Sequence, residues 1–131
     1  MAIINEETRN TFMSIVEDEN YKGLCYSNER FSIIIPTSLD SMITEAKAIA
    51  IGIAHVYIDK VISGTTRIYF MRQNAFPDKP YIAIEVRNGV IRQAYGEYCR
   101  KLQPAEVQFL KEWAEAKCIS FHAHVSGVPE R

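Results

Sequence analysis

Asn88-Gly89 lies between two alternating runs, YIAIEVR at 81–87 and VIRQAY at 90–95. Asn-Gly between such runs is a strong hairpin signal, because a type I′ turn needs φ > 0 at both central residues. A two-residue turn there sets the register. Arg87 faces Val90, Val86 faces Ile91, Glu85 faces Arg92, Ile84 faces Gln93 and Ile82 faces Tyr95. One face then carries Ile82, Ile84, Val86, Ile91 and Tyr95. The other carries Ala83, Glu85, Arg87, Arg92 and Ala94, with Glu85 and Arg92 as a cross-strand ion pair. A slip of one residue would turn the apolar set outward.

The rest of the chain arranges itself around this hairpin. Asn5 caps a first helix, with Glu6 and Glu7 in its first turn and an end near Glu19. Strands follow at Leu24–Tyr26 and Phe31–Ile35, the second stopped by Pro36. Thr37 or Ser38 starts a helix whose apolar residues keep helical spacing to Ile62, as one piece or two broken near Gly52. Thr66–Arg72 is a strand, and Pro77, Asp78 and Pro80 build the turn after it. Gln103 caps the last helix with Pro104 at its first position. Its buried stripe is Val107, Leu110, Trp113, Ala114 and Cys118. Residues 121–125 alternate as a strand would. The order α-ββ-α-βββ-α predicts a single α+β domain over 1–131, an antiparallel sheet with helices packed on one face. Thr66–Arg72 is then available as an edge for pairing between subunits in a homodimer.

At 131 residues the chain is long enough for one real core. The longest apolar run, Ala48–Ile58, is too short to span a bilayer, which needs ~20 residues. The start MAIINEETRN is not a signal peptide. Cys25, Cys99 and Cys118 are widely spaced and odd in number, which points to reduced thiols and a cytoplasmic setting.

Net charge is −1 but uneven. Residues 1–64 hold five Lys/Arg against nine Asp/Glu, and residues 65–101 hold seven against three. Two candidate binding surfaces follow. The basic one is Arg67, Arg72, Arg87, Arg92, Arg100 and Lys101, interleaved with aromatics such as Tyr69, Phe76 and Tyr81, a composition that suits nucleic acid. The acidic one is Glu6, Glu7, Glu17, Asp18, Glu19 and Glu29, which suits a basic partner.

Catalytic signatures are missing from the sequence. It has no G-x-S-x-G, P-loop or dinucleotide fingerprint, so no cofactor is implied. His55 lies in an apolar helix without an evident partner, the usual setting of a core histidine. Cys118, His122 and His124 have zinc-like spacing but lack a fourth ligand, so no metal site is assigned.

Four stretches carry a family likeness. FSIIIPTSLDSMITEAKAIA, YIDKVISGTTRIYFMR, PDKPYIAIEVRNGVIRQAYGEY and PAEVQFLKEWAE together resemble the PcfJ-like domain over roughly Phe31–Ala116. The best matches are Val61 and Gly64 leading into Arg67-Ile68, Pro80-Tyr81, Ile91-x-Gln93-x-x-Gly96, and Val107-x-Phe109-Leu110-x-x-Trp113. Where the family pattern has a His-Cys pair before the sheet, this chain has Ile51-Gly52-Ile53. The resemblance implies a phage- or plasmid-borne accessory protein. Small stand-alone proteins of this kind include inhibitors of CRISPR defence, which makes a host CRISPR effector nuclease of type II the expected partner. A nucleic-acid-binding factor of conjugation or phage replication is the alternative.

Overall fold

The computed structural model describes residues 5–49, 54–96 and 100–121. The fold is α+β, as expected. Its elements run α1 (Glu6–Val16), α2 (Glu19–Lys22), β1 (Tyr26–Ser27), β2 (Phe31–Ile34), α3 (Leu39–Ile49), α4 (Ala54–Ile62), β3 (Arg67–Gln73), β4 (Ile82–Arg87), β5 (Val90–Gly96), α5 (Pro104–Ala116) and β6 (Ser120–Phe121). The six strands form one sheet in the order β1-β2-β3-β4-β5-β6. Pairing is antiparallel from β1 to β5, and β6 joins β5 in parallel. The third strand is therefore interior, hydrogen-bonded to β2 and β4, and is not an edge through which two subunits can pair.

Local chemistry explains the helix limits. The Asn5 side chain accepts from Thr8 N–H at 2.8 Å, and Glu6 and Glu7 meet the positive end of the α1 dipole. The acidic run 17–19 breaks the chain into a new start, because Asp18 caps α2 through Asn20 N–H at 2.8 Å. In α5, Pro104 takes the first turn and Glu106 reaches back to accept from Gln103 N–H at 2.7 Å. That helix buries Val107, Phe109, Leu110, Trp113 and Ala114, whereas Cys118 lies beyond its end and is exposed. Residues 50–53, where the break near Gly52 was expected, lie outside the described residues, as do residues 122–131 with most of the expected final strand.

The hairpin turn forms at Asn88-Gly89, with φ of 53° and 74°. The first two pairs, Arg87↔Val90 and Val86↔Ile91, are those expected. The register then shifts. Glu85 pairs with Gln93, Ile84 with Ala94, Ala83 with Tyr95 and Ile82 with Gly96. Arg92 is the extra residue of a β-bulge, so it does not face Glu85. Ala94 consequently joins the Ile84 side of the sheet and is buried. The Tyr95 side chain, expected in the core, lies outside the described residues.

The helices cover both sides of the sheet rather than one. On one side Trp113 of α5 sets its ring edge against Tyr69 at 5.6 Å, and Phe109 packs on Phe31 at 5.3 Å. On the other side, where strand alternation places Arg72, Glu45 of α3 meets the Arg72 guanidinium. Double cover is why residues 82–86 of β4 are all buried, Glu85 included. The core is continuous and holds Phe12, Tyr21, Leu39, Ile58, Ile84 and Trp113 among its members.

Candidate functional site

The sequence-derived basic set does not assemble into one cationic face. Alternation along β3 puts Arg67 on the Tyr69 side and Arg72 on the Phe70 side. Arg67 donates to Asn20 O at 2.8 Å and lies over the Tyr21 ring. The other three inward-held arginines each serve a buried carboxylate. Arg72 binds both oxygens of Glu45 and donates through Nε to Pro77 O at 3.0 Å. Arg87 reaches Glu85 at 3.2 Å, and Thr66 Oγ1 donates to the same carboxylate at 2.5 Å. Arg100 grips Glu106 through two bonds of 3.0 and 2.9 Å, lies over the Tyr81 ring and donates to Lys101 O.

These carboxylates are sealed. Glu45, Glu85 and Glu106 are 7%, 2% and 1% exposed. An unpaired charge at such depth would cost several kcal/mol, so the arginines are structural requirements of the fold. Burial alone pushes the Glu106 carboxyl up. Its bonds from Arg100, Tyr81 and Gln103 N–H outweigh that and hold it below the ordinary value. Tyr81 moves the opposite way, pushed up to about 12 by burial and by its bond to Glu106. A carboxylate fixed in its charged form beside a phenol fixed in its neutral form is poorly tuned for proton transfer near pH 7.

Within the basic set, Arg92 and Lys101 are exposed to solvent, while the other four are half-buried. All six acidic candidates, Glu6, Glu7, Glu17, Asp18, Glu19 and Glu29, are exposed. Five of them lie on α1, α2 and the junction between them, where Lys22 approaches Glu19 at 3.5 Å. The exposed charge on those two helices is thus mainly negative.

Sequence reasoning missed the buried carboxylates. One signal was present: Glu106 stands three residues after Gln103 and just before an apolar run, the spacing of a capping box. Glu85 carried no such mark, because its burial follows from the second helical layer. Among the described residues there is no group of three or more His, Cys, Asp or Glu placed to hold a metal ion. His122, His124, Cys99 and the His55 side chain lie outside the described residues. Beside the hairpin turn a cleft of about 230 Å³ is lined by Gly64, Thr66, Arg67, Val86 and Asn88 among others. That is below the ~300–1,000 Å³ of pockets that enclose drug-sized ligands, whereas two more open grooves, about 320 Å³ beside Ser14, Tyr21 and Arg67 and about 470 Å³ at Phe76–Pro80, fall within that range.

The family model for "PcfJ-like protein" matches residues 2–110. The chain belongs to the PcfJ-like family. The match takes in the whole region from α1 to the middle of α5, including Glu45, Glu85, Glu106 and their arginines. An uncharacterized protein of Listeria innocua, Lin1253/Lin1744, is 30% identical over 82 residues, covering 61% of this chain. The PcfJ-like chain spans 18% of that relative's length. No solved structure matches. No helix among the described residues is long and apolar enough to cross a membrane.

Proposed function

We propose that this PcfJ-like protein is a non-catalytic accessory protein of a phage or plasmid that works by binding a basic protein surface in the bacterial cytoplasm. The partner class we favour is a host CRISPR effector nuclease of type II. The observation that carries this reading is the division of charge. Arg72, Arg87 and Arg100 are committed to buried carboxylates, while the carboxylates of α1 and α2 point to solvent. A surface of that sign suits the positively charged channel in which such an effector holds its guide–target duplex. It disfavours a phosphate backbone.

The test is a cleavage reaction with purified effector, guide RNA and target DNA. Excess protein should slow cleavage, and Glu17→Lys with Glu19→Lys should relieve the inhibition. Undiminished cleavage at saturating protein rejects that effector as the partner. Exposed Arg92 and Lys101 support the second reading, direct nucleic-acid binding. It predicts a gel shift that weakens with salt and with Arg92→Ala plus Lys101→Ala.

A further inference from the structure

The hairpin turn pairs two residues that can react with each other. Asn88 is the one asparagine of the chain followed by glycine. Glycine has no Cβ to screen its backbone nitrogen, so the nitrogen of Gly89 can attack the Cγ carbonyl of Asn88. The step forms an N–Cγ bond, breaks the Cγ–Nδ2 bond and releases ammonia, leaving a five-membered succinimide. Water then opens the ring at one of its two carbonyls. Opening at the side-chain carbonyl gives aspartate. Opening at the backbone carbonyl gives isoaspartate, in which the main chain runs through the β carbon. No oxidant, reductant or cofactor enters, and each product carries one more negative charge than the asparagine.

The fold leaves this pair accessible. Both residues are exposed, and a Cβ built at Gly89 would meet no atom within 4 Å. Attack requires the closed turn, with φ of 53° and 74°, to open. The bond that ties the turn to another element is Ser120 N–H to Gly89 O at 2.8 Å. Beyond it, β6 pairs with β5 through Val90↔Ser120 and Ile91↔Phe121. A contact of that size opens locally at low cost. The same bond gives the product its consequence. Isoaspartate lengthens the two-residue loop by one main-chain atom, whereas a type I′ turn is set by φ and ψ at two ordinary residues. Gly89 O then leaves its place opposite Ser120. We infer that Asn88-Gly89 is a self-modification site whose isoaspartate product releases β6 from β5.

The test holds the purified full chain in its folded state at pH 8.5 and 37 °C and samples it over weeks. Trypsin cleaves after Arg87 and Arg92, so the turn is read in the peptide Asn88–Arg92. The expected result is the mass gain of –OH replacing –NH2 in that peptide, with isoaspartate identified by isoaspartyl methyltransferase labelling. The isoaspartate fraction should exchange the Ser120 N–H at least about tenfold faster than fresh protein, the change expected for one missing bond. Asn88→Gly keeps a turn-forming pair without the amide, so it should gain no mass in this peptide and keep Ser120 protected. Freshly purified Asn88→Asp adds the charge on a normal main chain, and it too should keep Ser120 protected. The inference is overturned if the peptide gains no mass in the folded chain, if aspartate is the sole product, or if isoaspartate forms and Ser120 exchanges as before. It is equally overturned if Asn88→Asp frees Ser120 as isoaspartate does, since charge and not linkage would then be the cause.

Discussion

The hydroxyl of Tyr21 donates to the carbonyl of Ile68 at 3.0 Å and accepts from the N–H of the same residue at 2.6 Å. One phenol thereby serves both polar groups of a strand residue. The need arises because the β2–β3 ladder ends at Ile34↔Phe70, one alternation short of Ile68. Tyr21 stands where the next rung would be, and Tyr69 returns the contact by donating to Tyr21 O at 2.7 Å. Tyr21→Phe should keep the packing and orphan both buried groups of Ile68. The expected loss is about 1–3 kcal/mol, read from denaturant unfolding. A variant as stable as wild type would show that Ile68 finds water instead.

Gly96 and Arg100 make a second dependent pair. A Cβ at Gly96 would stand 2.6 Å from Arg100 Nε, so any side chain there displaces the guanidinium that neutralises Glu106. Gly96→Ala should destabilise by about 1–3 kcal/mol. Arg100→Ala should cost more, about 3–5 kcal/mol, by leaving a buried charge without its cation. In the Arg100→Ala background Gly96→Ala should be nearly neutral. Additive losses in the double-mutant cycle would break the proposed link.

Cys118 has φ of 58°, the left-handed region that side chains resist. It ends α5 with two bonds, Ile119 N–H to Ala114 O at 2.9 Å and Cys118 N–H to Glu115 O at 3.4 Å. This is the position where helices prefer glycine. Cys118→Gly should raise stability by about 1 kcal/mol, seen as a higher melting temperature. Cys118→Val should lower it.

Stability should fall at both pH extremes for identifiable reasons. Glu106 has a folded pKa below the ordinary 4.5, so its contribution is present above that value and is lost as pH falls through the folded one. Glu106→Gln should be less stable at pH 7, and its stability should vary less with pH in the acid range. Tyr81 works in reverse. Its pKa is raised from 10.0 to about 12, so its contribution is intact below pH 10 and is lost as pH rises toward 12. Burial raises Tyr21 and Tyr69 in the same direction. Unfolding free energies measured from pH 3 to pH 11 check both limbs.

Local chemistry was largely readable in advance. Asn88-Gly89, Asn5 and Gln103-Pro104 each act where their backbone preferences place them. What escaped was tertiary. Arg92 as a bulge residue carries no mark of its own, since bulges are selected by the twist and cover of the whole sheet. Glu85 has the alternation of a solvent-facing residue, and only the layer on the second face buries it. The parallel return of Ser120–Phe121 beside β5 depends on the path of α5, which no short motif records. The basic candidates illustrate the same limit. Composition counts arginines, but their partners come from α3, α5 and neighbouring strand positions, so outward charge is a property of the folded pairing.

The bulge at Arg92 also bears on which changes in length the sheet tolerates. Removing that one residue would set Gln93 opposite Glu85 in unbroken sequence with Val86↔Ile91, and every later pair would keep its partner. Removing either of its neighbours instead would draw Arg92 into a paired position in place of the residue lost. Single-residue deletions through β5 should therefore be harmful except at Gln93, whose exposed place exposed Arg92 can take, and at Arg92 itself. At that position a relative with a shorter hairpin arm can be aligned to this chain without moving any other contact in the fold.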